Sequence, residues 1–477
     1  MRTQRLNGCW PLIALTALAA VLRFATLDLQ SFWYDEAYTP VHVLHASLGV
    51  TLRAVSHTEN TPPLWYVLIW GWSRIWGSGE VALRSLSALA GVLTVPVAWG
   101  IGRELAGRRA ALLAATLVAV NPLFVWYAQE ARAYSLFTLL AALALLCFLR
   151  ALREPTSRRL AAFAVAGSLA LLTHYFAVFL LAPMCVWLLL AGYRKRRFAA
   201  LWAVGVVGAV GVALIPLIVA QGGHGTQWIG RWALSSRLEA IPQYYLTGYS
   251  GAPLGHALEL FVALLILVGI GYGLWSVLEP SEERGALVAL LLSACGVLIP
   301  IALVAFGADY LAPRNLLAAM IPLTALIAVV IVANRSGRVG MAIAGLLALA
   351  FLAITIDINL SPRLQRGDWR GIAHAIGSPR VITTVELGAA PLEYYLPPLH
   401  NLARGATVTT DEIDETGYAP LRSGADLPPV PGFHLVQRRN IHGLILYRFV
   451  SSSARPVAEI ALRRHVITEA RPEVLVR

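Results

Sequence analysis

The chain has 477 residues, of which 58% are hydrophobic and 13% charged, and its net charge is +12. Its mean hydropathy of +0.66 is above that of soluble domains and excludes an ordinary enzyme of the aqueous phase. The basic residues cluster in short loops and form no stripe with interleaved aromatic residues, so no nucleic-acid partner is expected.

Successive apolar runs predict a polytopic bundle of membrane-spanning helices. Each run is long enough to cross about 30 Å of hydrocarbon. A β-barrel would show short alternating segments instead. We predict eleven spans, at residues 10–28, 81–102, 109–127, 133–150, 159–175, 176–192, 199–220, 256–277, 286–306, 314–334 and 339–356.

The positive-inside rule predicts a cytoplasmic N-terminus. Arginines cluster in the short loops, among them Arg2 and Arg5, the 194–197 run, and Arg335 with Arg338. The outer side then receives the first outer loop, 29–80, and residues 128–132, 221–255 and 307–313.

The apolar stretch 62–76 does not fit this topology as a crossing, because it would place the arginine clusters outside. Its four tryptophans favour an interfacial or re-entrant helix. A true crossing is the alternative.

The character of the chain changes after residue 356, which predicts two domains, 1–356 in the membrane and 357–477 outside it. The second is more polar and long enough for a small extracytoplasmic α/β domain. Its pattern predicts helices at 368–377 and 391–396 and strands at 381–386 and 443–450.

Two adjacent carboxylates, Asp35 and Glu36, follow the first span between aromatic residues. Ionisable groups near a bilayer are costly and are often functional. A carboxylate can serve as the general base for a hydroxyl acceptor. Asp35 as the N-cap of a helix beginning near Ala37 is the alternative, but it explains only one acid.

His57 and Glu59 stand at the far end of the same outer loop, before the sequence Asn60-Thr61-Pro62-Pro63-Leu64-Trp65-Tyr66. Both side chains are titratable and could face Asp35. A solvated loop end before a proline-initiated helix is the alternative.

Between the third and fourth spans, the outer segment from Trp126 to Tyr134 contains Tyr127, Glu130 and Arg132. Glu130 and Arg132 could form an exposed ion pair of little energetic value. An arginine on the outer side departs from the charge bias of the other loops, however, which favours a functional role.

Arg314 lies at the start of the tenth span, and Tyr310 lies just before it. Arg231 and Arg237 in the 221–255 loop are weaker candidates of the same kind as Arg314. Arginine binds phosphate through two hydrogen bonds, and a helix N-terminus adds free N–H groups. Snorkelling to lipid headgroups is the alternative.

These motifs together predict an outward-facing polar site. Its carboxylates could deprotonate an acceptor hydroxyl while its arginines neutralise the phosphate of a lipid leaving group. Displacement of a sugar from a phosphate requires both.

In the order and spacing of these motifs over about residues 20–150, the chain resembles GT-C glycosyltransferases of family 39, the protein O-mannosyltransferase and aminoarabinose-transferase group. The motifs are the Asp-Glu pair, Pro-Pro-Leu-Trp-Tyr, the 82–87 stretch and the 121–134 segment. The resemblance implies a GT-C fold and a polyprenyl-phosphate sugar donor.

The resemblance also implies Asp35 as the catalytic base of an inverting transfer, with Glu36 supporting it or binding acceptor. Glu130 would hold the second acidic position, where many relatives have Asp. Asn60-Thr61 replaces the His or Lys of relatives, so we assign donor phosphate to Arg132 and Arg314. No cofactor is certain; a divalent cation on Asp35, His57, Glu59 and Glu130 is possible.

The acceptor could be a protein, a lipid or a glycan, at the outer face of the cell membrane. A transporter or lipid-sugar flippase with an acidic ion-coupling site is the alternative, although transporters usually place such groups in mid-span within repeated halves. A non-catalytic membrane scaffold would leave the outer acids and arginines unexplained.

Overall fold

A computed structural model describes residues 10–191, 197–248, 256–378, 380–465, 467–468 and 471–477. Arg2, Arg5 and the basic residues 194–196 of the predicted cytoplasmic loops lie outside these ranges. The chain divides into two compact units, one of Met1–Leu27 with Ala46–Leu360 and one of Asp28–His45 with Ser361–Arg477. The second unit thus includes part of the first outer loop, besides the C-terminal residues.

The first unit is helical. Within the described residues, seven of its helices are long and apolar enough to cross a membrane. Its helices are Trp10–Phe24, Leu48–Thr58, Leu64–Trp76, Glu80–Val120, Pro122–Ala128, Tyr134–Arg153, Ser157–Leu171, Val178–Leu190, Arg197–Ala213, Ile215–Gln221, Gln227–Arg231, Leu234–Thr247, His256–Trp275, Pro280–Ala305, Leu317–Ile331 and Gly337–Leu360. Each predicted span overlaps one of these helices; their number in the membrane stays a prediction.

Two predicted spans, 81–102 and 109–127, meet in the single helix Glu80–Val120, which is interrupted at Ala106 and Gly107. Gly107 has a φ of +82°, a conformation that glycine adopts without a Cβ penalty. Helices Trp10–Phe24 and Tyr134–Arg153 both pack along this pair.

The stretch 62–76 forms the helix Leu64–Trp76, which has 13 residues. At 1.5 Å per residue it is about 20 Å long, short of the hydrocarbon thickness. Trp65 is buried, whereas Trp76 is exposed. Its interfacial placement stays a prediction.

The second unit contains a six-stranded sheet in the order β2-β6-β1-β3-β5-β4. Strands β1 and β3 are parallel and the other neighbours are antiparallel. The strands are β1 (Val381–Val385), β2 (His400–Asn401), β3 (Thr407–Tyr418), β4 (His434–Ile441), β5 (Leu444–Ala458) and β6 (Pro472–Val476).

Short helices accompany the sheet: Tyr34–Tyr38, the π-helix Thr39–Val43, Trp369–Ile376, Glu386–Tyr395 and Glu459–Arg464. Trp369, Leu392 and Leu446 belong to one buried cluster, while Phe433 and Phe449 belong to another. The predicted small α/β domain is confirmed, although its sheet has more strands than the sequence indicated.

Candidate active site

The acidic pair lies in the second unit, on the helix Tyr34–Tyr38. Trp33 is the N-cap residue, with extended backbone and no side-chain cap. Asp35 is therefore not the N-cap, and the capping interpretation is wrong. Asp35 is partly exposed, whereas Glu36 is fully buried.

Glu36 forms an ion pair with Arg366, whose Nη1 lies 3.3 Å from Glu36 Oε2. The guanidinium of Arg366 also lies over the Trp33 ring, 4.9 Å from its centroid. A buried carboxylate needs a charged partner of this kind. The sequence reading missed Arg366, because only the fold brings the C-terminal residues to the pair.

Further contacts hold the segment that carries the pair against C-terminal residues. The Tyr395 hydroxyl accepts a hydrogen bond from the Phe32 amide at 2.7 Å. His42 Nε2 lies 2.8 Å from a carboxylate oxygen of Glu393. C-terminal residues of the second unit therefore hold the segment around the acidic pair in place, and one of them, Arg366, also pairs with Glu36.

A second polar group lies in the helical unit, around Glu59, the residue after helix Leu48–Thr58. Arg132 donates from Nη2 to Glu59 Oε2 at 3.0 Å and from Nη1 to Oε1 at 3.4 Å. The Tyr66 hydroxyl donates to the same Oε2 at 2.5 Å and lies 3.2 Å from the Thr61 hydroxyl. Glu59, Glu130 and Arg132 are all buried, so the alternative of an exposed ion pair between Glu130 and Arg132 is wrong, and Glu59 is a carboxylate partner of Arg132.

Arg314 stacks on two aromatic rings, with its guanidinium carbon 5.8 Å from the Tyr134 centroid and 5.1 Å from that of Trp228. The Tyr134 ring in turn contacts Tyr127, with centroids 5.1 Å apart. Tyr127 lies within electrostatic reach of Glu130 and Arg314. The structure thus brings four predicted residues into the same region of the helical unit: Tyr127, Glu130, Arg132 and Arg314.

The sequence reading missed His174, which lies in the short break after helix Ser157–Leu171. Its ring is buried and stacks on Phe137 at a centroid distance of 4.6 Å. Arg314 and Arg132 both act on it electrostatically. The sequence signal that could have identified His174 is a histidine in a helix break beside apolar runs.

Two predicted residues lie apart from these clusters. His57 is exposed on the last turn of helix Leu48–Thr58. The Tyr310 side chain is 48% exposed, and its carbonyl accepts from the Asn315 side chain at 3.0 Å. Both residues stay candidates for substrate binding.

Arg237, one of the two weaker candidates in the 221–255 loop, binds a carboxylate. Its Nη1 and Nη2 lie 2.5 and 2.9 Å from the two oxygens of Asp309, and Nη1 also donates to the Leu311 carbonyl at 3.2 Å. The hydrogen bond from Arg237 lowers the pKa of Asp309. This bidentate pair links helix Leu234–Thr247 to the 307–313 loop.

No group of three or more histidine, cysteine, aspartate or glutamate side chains within the described ranges could hold a metal ion. The possible divalent-cation site on Asp35, His57, Glu59 and Glu130 is thus not assembled there. Glu59 is engaged by Arg132 and His57 is exposed, which is a poor arrangement for a hard cation.

In a comparison with protein families, residues 60–219 match the model of dolichyl-phosphate-mannose-protein mannosyltransferase. This segment is shorter than half of the chain. No curated protein matches.

Solved structures extend the likeness to almost the whole chain. ArnT from Cupriavidus metallidurans bound to undecaprenyl phosphate has a TM-score of 0.56 at 15% identity, covering 93% of this chain and 99% of ArnT. Its apo state has a TM-score of 0.56 at 14% identity, covering 91% and 97%. AglB from Archaeoglobus fulgidus, in complex with an inhibitory peptide and a dolichol-phosphate, has a TM-score of 0.49 at 14% identity, covering 82% and 60%.

The GT-C fold predicted from the sequence is confirmed, as is the resemblance to glycosyltransferases of the protein-mannosyltransferase and ArnT type. The chain is a multi-pass membrane protein. The match to the mannosyltransferase model favours the enzyme over the transporter hypothesis. The orientation of the termini stays a prediction.

Proposed function

We propose that this GT-C glycosyltransferase moves a sugar from a polyprenyl-phosphate donor to a hydroxyl acceptor at the outer face of the cell membrane. The undecaprenyl phosphate bound by ArnT, a protein of the same fold, supports a lipid-phosphate donor here. The observation that carries the proposal is the pair of arginines in the helical unit, Arg132 and Arg314.

Arginines inside a bundle of membrane helices are energetically costly, and those that occur are often functional. Arg132 is buried and held by Glu59 at 3.0 Å, while the guanidinium of Arg314 stacks on the Tyr134 and Trp228 rings. Both lie just before helix N-termini, those of Tyr134–Arg153 and Leu317–Ile331, and phosphate binding is favoured at such ends. They would neutralise the charge that develops on the leaving phosphate.

Asp35 is the proposed general base. It accepts the proton of the acceptor hydroxyl, whose oxygen attacks the anomeric carbon from the face opposite the phosphate. The bond from the anomeric carbon to the phosphate oxygen breaks, and the lipid phosphate leaves with the electron pair, so the configuration inverts. The burial of Glu36 and its ion pair with Arg366 favour Asp35 over Glu36 for this role.

The test uses purified full-length protein in proteoliposomes with a labelled polyprenyl-phosphate sugar. General-base catalysis contributes roughly 10²–10⁴-fold, so Asp35→Asn should lower transfer at least a hundredfold while insertion and folding persist. Near-normal transfer by this variant would remove Asp35 as the base.

The phosphate role of Arg314 is tested by Arg314→Ala, for which we expect a raised donor KM and an unchanged acceptor KM. Arg74→Ala is the matched control, because Arg74 also stacks on a ring, that of Trp70 at 5.2 Å, and has no assigned role. Equal weakening for both substrates would contradict a donor-specific contact.

Glycans lost on deletion, identified by mass spectrometry, would reveal the sugar and whether the acceptor is a protein, lipid or glycan.

A further inference from the structure

A helix break at Asn121–Pro122 leaves backbone carbonyls without their usual donors. Pro122 has no N–H, so the carbonyl of Val118 loses its donor four residues on. The amide of Leu123 donates to the Asn121 side chain at 2.9 Å, so the carbonyl of Ala119 loses its donor as well. Buried carbonyls of this kind need other partners.

Arg23 supplies both partners. This residue of helix Trp10–Phe24 is fully buried and donates from Nη2 to the Val118 carbonyl at 2.8 Å and from Nη1 to that of Ala119 at 2.9 Å. The Thr355 hydroxyl serves the next carbonyl, that of Val120, at 2.7 Å. A cation also interacts favourably with the negative end of a helix dipole.

Gln129 makes a second attachment, after the short helix Pro122–Ala128. Its Nε2 donates to the Leu22 carbonyl at 3.0 Å and to the Thr26 hydroxyl at 2.6 Å. Residues 22–26 thus bind the chain on both sides of the short helix, at the end of helix Glu80–Val120 before it and at Gln129 after it. The segment it opens carries Tyr127, Glu130 and Arg132.

Gly91 makes room for this arrangement. A Cβ at that position would lie 2.8 Å from Nε of Arg23 and 2.6 Å from the Cβ of Ala128. The close approach of the guanidinium and the short helix therefore requires glycine on the neighbouring helix.

A small cavity joins Arg23 to Tyr127. Nε of Arg23 and the Tyr127 hydroxyl are buried and have no hydrogen-bond partner among the residues that the structure describes. Both side chains line a cavity of about 10 Å³ together with Thr94, Ser135 and Thr138. A polar cavity of this size accommodates a single water molecule, which could bridge the two groups.

We propose that Arg23 is a positioning residue for sugar transfer, which fixes the segment 121–132 and so the orientation of Tyr127, Glu130 and Arg132. This inference rests on the proposed function for its kinetic consequence. Its structural part, that Arg23 orders the segment, is independent of what the enzyme transfers.

The test compares Arg23→Met, Arg23→Lys and wild type in the full chain. Arg23→Met removes every donor, so we expect the donor KM to rise at least tenfold with an unchanged acceptor KM. Hydrogen exchange within 121–132 should become faster at least tenfold. Arg23→Lys keeps the charge and some donors, and should recover part of both losses.

Ser336→Ala is the matched control. Ser336 is a buried residue of the same unit whose hydroxyl also donates to a carbonyl at a helix end, that of Ile331 at 2.9 Å, and to the carbonyl of Ala333 at 2.7 Å. Its loss should lower thermal stability without changing the donor KM or exchange in 121–132.

The second variant, Gln129→Met, keeps Arg23 and removes the other attachment, so it tests the same claim if Arg23→Met does not fold. Unchanged donor KM and unchanged exchange in either folded variant would overturn the inference. Failure of the proposed function would appear differently, as wild type that transfers no sugar while exchange in 121–132 still responds to Arg23→Met.

Discussion

Arg366 should hold the acidic pair in place, and its removal is the sharpest perturbation of the second unit. Arg366→Gln leaves Glu36, whose side chain has no exposed surface, without the guanidinium that lies 3.3 Å away. The variant also loses the guanidinium over the Trp33 ring. Both changes act on the helix Tyr34–Tyr38.

The expected magnitude follows from burial. Removal of one partner from a buried ion pair costs about 3–5 kcal/mol, because the remaining charge is uncompensated. Arg366 is 10% exposed, so we expect the low end, about 3 kcal/mol. Since about 1.4 kcal/mol corresponds to a tenfold change in an equilibrium constant, local opening should become more frequent by more than a hundredfold.

Hydrogen exchange of the amides of Tyr34–Tyr38 measures this opening in the full chain. The double variant Glu36→Gln with Arg366→Gln removes both charges and should return most of the lost protection, since a neutral pair has no buried charge to compensate. Arg380→Gln is the control, because Arg380 pairs with Asp411 on the surface with a side chain that is 61% exposed, where ion pairs contribute little. Equal protection in wild type, Arg366→Gln and the double variant would refute the reasoning.

Two further predictions concern titration and the outer loops. Burial raises the pKa of Asp414 to about 6 and that of Glu415 to about 7, and a hydrogen bond to Glu415 raises the pKa of His465. The pKa values of both carboxyl groups are above their unfolded values, so the stability that Asp414 and Glu415 contribute is fully present below about pH 4 and is lost as the pH rises through about 6 to 7. Exchange protection of β3, corrected for intrinsic rates, should therefore be higher at pH 5 than at pH 8, and the reverse order would contradict it. Asp309→Asn should speed exchange of the 307–313 loop, because Arg237 stays buried with its carboxylate partner removed, and an unchanged rate would show that the pair does not order the loop.

The helices could be predicted from the sequence because apolar runs of membrane length admit few other structures. The break within Glu80–Val120 was predictable too, since Gly107 and arginines separate its two apolar halves. The number of crossings could not be fixed in the same way. Leu64–Trp76 shows why. Its tryptophans and its length of 13 residues indicate a helix, but they do not determine how deep in the membrane that helix lies.

The sheet was harder to predict. Strand β3 was missed because its sequence, Thr407–Tyr418, contains four acidic residues, and Asp and Glu are depleted in strands. Two of them, Asp414 and Glu415, are nevertheless buried. Arg448 compensates the first through Nε at 2.8 Å and His465 the second at 3.0 Å. Tertiary partners here override local propensity.

The same limit governs the candidate site. Residue type and position were enough to select Asp35, Glu36, Glu59 and Arg132, because charges beside apolar runs are costly. The partners were not predictable, since Arg366 lies 330 residues from Glu36 and Arg132 lies 73 residues from Glu59. Each pairing changes the chemistry of its acid. Glu36 and Glu59 are each held in an ion pair with an arginine, which suits them to holding structure, and Asp35 stays the proposed base.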